Sequence, residues 1–237
     1  MSDYIVFAGA DSRTYNAHVF ENDTYSAGPL EVSIVSVPGR SGDVLINNKR
    51  YPNIIRSYDC VFYEDAADNY ADFRAFLLSQ VGYKKLVDSK YSDAYFQGYV
   101  ASTLKPELTP DAGKIKFTLS FSCKPQRFLN SGDTASTFTD DGTITNPTLY
   151  ASAPLLKVTG TGTLEINDDS IVIANTHPNT GYMYIDCESG RCYCNGLSLD
   201  EQVTFSGYDL PRLKPGDNEI ALTDITSVEI TPRWWTL

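Results

Sequence analysis

Apolar and polar residues alternate with a period of two along much of the chain, and this pattern predicts a mostly β protein. The clearest case is residues 115–123, where apolar residues alternate with lysine, threonine and serine. Such alternation predicts an antiparallel strand with one buried and one polar face. A similar run over residues 30–37 predicts a second half-buried strand, which ends at a Pro-Gly turn.

One helix is predicted among these strands. It begins after Asp65, a suitable N-cap, and ends before Gly82, a suitable residue for the C-terminal end. Apolar residues recur at helical spacing between them and form one face: Ala66, Tyr70, Phe73 and Leu77. We expect this face to cover a sheet.

The domain organisation is indicated by where the periodic pattern stops. From residue 124 to residue 150 neither helical nor strand periodicity survives, and small polar residues dominate. We therefore predict a first domain over residues 1–130, a linker over 131–146 and a second domain over 147–237. The second domain shows short strands separated by turn signals, which is typical of a β-sandwich.

The turn at residues 37–43 is the candidate interaction site of the first domain. Proline cannot donate to a strand ladder, and glycine reaches positive φ at little cost, so the chain must bend here. The simplest interpretation is a loop between two strands. The functional interpretation is a subunit interface, because an exposed arginine offers five donors to a neighbouring chain's carboxylates or carbonyls. The predicted interface residues are Pro38, Gly39, Arg40, Ser41, Gly42 and Asp43.

Composition narrows the function classes. The chain has 237 residues, a formal net charge of −11 and no basic tract, which argues against a nucleic-acid-binding face. No apolar run approaches the roughly 18 residues that a membrane-spanning helix requires. The N-terminus also lacks the layout of a secretory signal. We expect a soluble chain that is neither inserted in a membrane nor exported by a cleaved signal.

The candidates for metal and catalytic chemistry are weak. The five cysteines and two histidines do not follow the spacing of a zinc site, so we expect buried or half-buried free thiols and assembly in a reducing cytosol. The role of Cys187, Cys192 and Cys194 stays open. The sequence contains neither a Gly-x-Ser-x-Gly elbow nor an HExxH motif, and the adjacent acids Asp140 and Asp141 are best explained as a solvated turn. We predict no metal, no cofactor and no enzymatic activity.

Several short motifs resemble one protein family. Residues 37–42, Val-Pro-Gly-Arg-Ser-Gly, followed by Asn-Ile-Ile-Arg at 53–56, resemble the N-terminal signature of the distal tail (Dit) proteins of long-tailed bacteriophages. The chain is also similar to that family in the order of its next features. These are a helix, then Lys-Leu-Val-Asp, then Tyr-Phe-Gln-Gly-Tyr-Val, and then a strand that ends in Cys-Lys-Pro. Its C-terminal pattern is matched in order at residues 146–148, 153–158, 185–187, 213–218 and 230–235.

This resemblance spans nearly the whole chain and implies an architecture and a role. The N-terminal domain would be sandwich-like or split-barrel-like with one packed helix, and the C-terminal domain would resemble the sandwiches of galectins and carbohydrate-binding modules. Copies of the first domain would close into a hexameric ring, single or stacked, between the tail tube and the baseplate or tail tip. Implied partners are the tail tube protein, the tape measure protein, and a tail-associated lysin or receptor-binding protein. The implied location is the virion, after assembly in the host bacterial cytoplasm.

A carbohydrate-binding adhesion protein is the alternative function. Trp234 and Trp235 are the candidate saccharide-stacking residues, because an indole face packs well against a pyranose ring. Neighbouring residues of a strand point to opposite faces, so at most one of the two can lie in the core. The competing interpretation is that one fills the sandwich and the other covers an edge or a subunit contact.

Overall fold

The computed structural model describes residues 3–21, 28–108 and 113–237. Up to residue 123 the strands are β1 Ile5–Phe7, β2 Ala10–Asp11, β3 His18–Glu21, β4 Val32–Val35, β5 Val44–Asn47, β6 Ile54–Phe62, β7 Lys84–Asp88, β8 Ala94–Val100, β9 Glu107–Leu108 and β10 Ile115–Cys123. The helix α1 is Ala66–Ser79. The later strands are β11 Arg127–Leu129, β12 Ser136–Phe138, β13 Gly142–Asn146, β14 Leu155–Ile166, β15 Asp169–Ile173, β16 Tyr182–Asp186, β17 Arg191–Cys194, β18 Leu197–Ser198, β19 Val203–Phe205, β20 Gly216–Thr231 and β21 Trp235–Thr236. Short 3-10 turns lie at Ser12–Tyr15, Asn130–Asp133 and Asp200–Gln202.

The chain divides into two compact units, the first ending at Arg127 and the second spanning Phe128–Thr236. This division differs from the predicted linker over residues 131–146. Strands β12 and β13 lie in that segment, and both pair with β20 of the second sheet. The segment lacks a clear hydrophobic period because its strands are short and carry many threonines, yet backbone pairing makes it part of the second unit.

The first unit is built on an antiparallel sheet with strand order β2-β1-β7-β8-β10-β6-β3. Its centre is the β10–β6 pair, which runs in register from Ile115 opposite Phe62 to Cys123 opposite Ile54. The strand predicted over residues 115–123 is therefore confirmed. Its apolar side chains are buried, and all five belong to one core: Ile115, Phe117, Leu119, Phe121 and Cys123.

Helix α1 covers this sheet with the predicted face. Tyr70 packs edge-on against Phe117, with ring centroids 5.4 Å apart, and its hydroxyl donates to the backbone oxygen of Leu104. The helix begins after Asp65 and ends before Gly82 as predicted, but its caps differ from those expected. Asp65 occupies the N-cap position in the left-handed region with no side-chain cap bond, and the helix stops at Ser79, before the glycine expected to end it.

The second unit forms its core around β14 and β20, its two longest strands. Their register shifts between Thr159 and Thr163, where Gly160 and Gly162 have φ of +91° and +143°. Apolar side chains on both sides of this break enter one core: Leu156, Val158, Leu164 and Ile166. The predicted mostly β fold, with one helix and a β-sandwich half, is confirmed.

All five cysteines are buried free thiols, as expected from their spacing. Burial raises the pKa of Cys123, Cys187 and Cys192 to about 12, because the thiolate would lose its hydration. Cys192 and Cys194 share the core face of β17, whose other face carries Arg191 and Tyr193. The cysteine cluster is thus part of the second core.

Candidate subunit interface

A two-stranded hairpin, β4 with β5, is the candidate interaction surface. It forms a separate sheet, in which Val32 lies opposite Asn47 and Val35 lies opposite Val44. Within the described part of the chain, neither strand pairs with any other strand. An isolated two-stranded hairpin is at best marginally stable in water, so this element is suited to packing against something else.

Both faces of this hairpin are apolar and exposed. Opposite residues of an antiparallel pair share a face, so Ile34 and Leu45 lie on one face, and Val35 and Ile46 lie on the other. Ile34 and Leu45 are each 65% exposed, and Ile46 is 50% exposed. The strand predicted to be half-buried over residues 30–37 is therefore exposed. The prediction was wrong because alternation reports which residues share a face, but not whether another element covers that face.

Polar contacts hold the base of the hairpin. Glu31 and Arg50 form an ion pair, with Nε and Oε2 2.8 Å apart, and the Glu31 backbone N–H donates to Arg50 O. Asn48 donates to the Glu31 carboxylate and to the Ser33 hydroxyl. These contacts fix the register of the hairpin but bury none of its apolar side chains.

The tip of the hairpin has the turn that the sequence predicts. The Arg40 backbone N–H donates to Val37 O at 3.2 Å, and Gly39, two residues into the turn, has φ of +82°. Proline followed by a positive-φ glycine is the signature of a type II turn. All six predicted interface residues, Pro38 to Asp43, are exposed. Within the described residues the Arg40 guanidinium makes no hydrogen bond or ion pair.

The interface predicted from the sequence did not include the apolar strand residues on either side of the turn. A sequence signal for them exists, because Ile34-Val35 and Val44-Leu45-Ile46 place apolar residues on both faces of very short strands. Strands with two apolar faces are normally covered on both sides. The sequence therefore indicates a covering element on each face, and the described residues supply neither.

The two tryptophans occupy structural positions in the second unit. Trp234 is 5% exposed and belongs to the second core. Trp235 stacks on Tyr150 with centroids 4.5 Å apart and donates its indole N–H to Ala151 O. Saccharide stacking by Trp234 conflicts with its burial, and one face of Trp235 is already covered by Tyr150. The arrangement agrees with the competing interpretation, in which one indole fills the sandwich.

Replacing Gly132 by alanine should destabilise the second unit. The Arg233 backbone N–H donates to Gly132 O at 2.8 Å, and a Cβ on Gly132 would overlap the backbone nitrogen of Trp234. Overpacking of this kind typically costs about 1–3 kcal/mol of unfolding free energy. Urea unfolding followed by tryptophan fluorescence measures the loss, since both tryptophans lie in this unit. Gly207→Ala is the matched control, because its Cβ would meet no atom closer than 3.7 Å. Equal midpoints for the two variants would contradict the prediction.

Among the described residues, no group of three or more histidine, cysteine or acidic side chains is placed to hold a metal ion. No helix in the described segments is long and apolar enough to cross a membrane.

Comparison with solved structures identifies the fold. The chain superposes on the crystal structure of the SPP1 Dit protein with a TM-score of 0.70, 16% identity and 100% coverage of both chains. That protein is described as a paradigm of the hub adsorption apparatus in phages that infect Gram-positive bacteria. It also matches chains of the phage P2 baseplate in its activated conformation with Ca (TM-score 0.53, 11% identity, 97% of each chain) and with Sr (TM-score 0.52, 12% identity, 97% of this chain and 96% of the other). No family model and no curated protein matches the chain. The resemblance to the Dit proteins is confirmed at the level of the fold.

Proposed function

We propose that this chain, which has the Dit fold over its full length, is a structural virion protein that forms the distal hub of a phage tail. Its copies would close into a ring between the tail tube and the baseplate or tail tip. In this role the protein acts by shape, and no bond is made or broken. The fold likeness and the exposed hairpin support the proposal independently of each other.

The exposed hairpin is the observation that carries the proposal. Fully burying a valine, leucine or isoleucine side chain contributes about 1.5–3 kcal/mol relative to leaving it in water. Six such residues around the hairpin are 40–65% exposed: Val32, Ile34, Val35, Val37, Leu45 and Ile46. Covering even half of that surface would contribute several kcal/mol per copy and would offset part of the free-energy cost of association.

A ring is the form of assembly that best suits this element. A head-to-tail interface joins two different patches, and it closes into a ring when the rotation per copy allows. The hairpin supplies one patch, and a neighbouring copy would supply the other. The number of six copies and the stacking of rings are carried over from the family resemblance.

The partners follow from the same resemblance. A hub at this position would contact the tail tube protein and the tape measure protein on one side. On the other side it would contact a tail-associated lysin or receptor-binding protein. The net charge of −11 makes a nucleic-acid partner unfavourable. The proposed location is the virion, after assembly in the cytoplasm of the host.

Native mass spectrometry of the purified full chain tests the ring. We expect a closed oligomer of six copies for the wild type and a weakened oligomer with an unchanged monomer fold for Arg40→Glu. The exposed guanidinium at the hairpin tip would be replaced by a carboxylate, which repels acceptor groups on the neighbour. Arg212→Glu, the same charge change at an exposed position of the second unit, is the control.

The outcomes of this experiment separate two claims. A wild-type chain that stays monomeric at high concentration would overturn the proposed function. An intact oligomer in the Arg40→Glu variant would leave the ring standing but remove Arg40 from its interface.

A further inference from the structure

The solvent side of helix α1 carries a row of exposed apolar residues. Ala75, Leu78 and Val81 follow one another at intervals of three residues, and residues at this spacing are neighbours on a helix surface. Ala75 is exposed, and Leu78 is 58% exposed. Val81, two residues beyond the helix end, is 83% exposed. No element in the described part of the chain covers these side chains.

An acidic residue continues this row toward the N-terminus of the helix. Asp72 lies three residues before Ala75 and is exposed. It lies beyond the first turn, where acids complement the positive end of the helix dipole, so the helix does not require it. Residues 64–79 contain four acids and one arginine, a net charge of −3. Asp72, Ala75, Leu78 and Val81 together form the α1 row, which is acidic at one end and apolar at the other.

The β4–β5 hairpin has the complementary arrangement. Ile34 and Leu45 share one exposed face of its strands, and Arg40 is exposed at its tip. Residues 31–50 contain three cations and two acids, a net charge of +1 on a chain whose formal net charge is −11. One of these acids is already paired with an arginine at the base of the hairpin. The hairpin is therefore apolar along its strands and offers a cation at its end.

The spacing of the two surfaces also matches. Each residue of a strand adds about 3.3 Å, so Ile34 lies about 10 Å from the turn that starts at Val37. Each residue of a helix adds 1.5 Å, so Leu78 lies about 9 Å along the axis from Asp72. A hairpin laid along α1, with its tip toward the N-terminus of the helix, would place Ile34 on Leu78 and bring Arg40 to Asp72.

We propose that the hairpin of one copy docks on the α1 row of the next copy, with Arg40 beside Asp72. This inference rests on the proposed ring and names its second patch. A head-to-tail ring needs two different patches on each copy. Both surfaces are exposed in the single chain, so neither is used within one copy. Because the chain as a whole is acidic, opposite local charges are suited to orienting two copies against each other.

Charge reversal in the full chain tests the pairing. We expect Asp72→Arg and Arg40→Glu each to weaken the oligomer about tenfold or more, because each change places like charges together at the contact. The double variant Arg40→Glu with Asp72→Arg should recover most of the wild-type oligomer, since a carboxylate and a guanidinium meet again. Native mass spectrometry over a range of concentrations measures the populations. Asp93→Arg, the same change at an exposed position of the first unit outside the α1 row, is the control.

Mixing two variants tests the direction of docking. One carries Ile34→Ser with Leu45→Ser, the other carries Leu78→Ser with Val81→Ser, and each keeps one intact patch. We expect each to be monomeric alone. Mixed in equal amounts they should form a heterodimer and no ring, because each pair can make only one contact. All four replaced side chains are at least 58% exposed in the single chain, so thermal unfolding should stay close to that of the wild type.

The outcomes separate this inference from the proposed function. A wild-type chain that stays monomeric would overturn both. If the wild type forms a ring, the docking site alone is overturned by any of three results. These are an unchanged ring in Leu78→Ser with Val81→Ser, no recovery in the double charge reversal, or no heterodimer in the mixture at up to about 1 mM of each variant.

Discussion

Replacing Asp88 by asparagine is expected to lower the free energy of unfolding of the first unit by about 3–5 kcal/mol. Arg56 and Asp88 form an ion pair in the core, where their side chains are 1% and 3% exposed. The Tyr58 hydroxyl also donates to the Asp88 carboxylate, at 3.1 Å. Asparagine keeps the size of the side chain but removes its charge, so the buried guanidinium loses this carboxylate. Amide hydrogen exchange at β10 measures the effect, and the amides of β14 serve as an internal reference in the second unit.

Asp3→Asn is the matched control for Asp88→Asn. Asp3 pairs with Lys90 at 3.5 Å, but both side chains are about 40% exposed, and exposed pairs contribute about 0–1 kcal/mol. The double variant Arg56→Leu with Asp88→Leu should cost clearly less than the sum of the single changes, because it removes both buried charges together. An Asp88→Asn variant as stable as the control would mean that the ion pair contributes little to this core.

Replacing Ile34 and Leu45 together by serine is expected to convert the proposed ring into monomers. The two residues lie opposite each other on one face of the hairpin, and each is already 65% exposed in the single chain. The monomer therefore loses little burial, whereas the proposed interface loses two buried aliphatic side chains. Because only about two thirds of each side chain remains to be buried, that loss is worth about 2–4 kcal/mol per interface, or about 30–10³-fold in its dissociation constant. Sedimentation velocity over a range of concentrations measures the shift, and thermal unfolding confirms that the monomer fold is kept.

Leu149→Ser provides the comparison for this hairpin variant. Leu149 is 88% exposed and lies in the second unit, so the change removes a similar apolar surface away from the hairpin. We expect its oligomer to match the wild type. If the hairpin variant and Leu149→Ser sediment alike as intact rings, the exposed hairpin is not the subunit interface.

The strongest local patterns in the sequence predicted their elements well. The run over residues 115–123 is strand β10, and the face of α1 is buried as the helical spacing indicates. Both patterns are long and place most of their bulky apolar residues on one side, with Leu78 of α1 as an exposed exception, so local geometry and core packing favour the same structure. Asp65 is the N-cap position as predicted, but its side chain makes no cap hydrogen bond, because the backbone there adopts a left-handed conformation.

The local pattern gave the wrong prediction for two segments whose burial or pairing depends on distant strands. Residues 30–37 alternate much as residues 115–123 do, yet β10 is flanked by β6 and β8, and β4 pairs only with β5 among the described strands. Residues 131–146 show the opposite case, because weak periodicity hides two strands that pair with a segment about eighty residues later in the chain.

By itself, the sequence determined that the protein is mostly β with one covering helix, that its thiols are free, and that a Pro-Gly turn presents Arg40. It also placed the Dit-like motifs in order. Only the tertiary structure decided that no described element covers the hairpin, that Trp234 is enclosed, and that Tyr193 and Asp200 line a common pocket. The reason is physical: side-chain periodicity is a property of neighbouring residues, whereas burial and the convergence of polar groups depend on pairings between strands far apart in the chain.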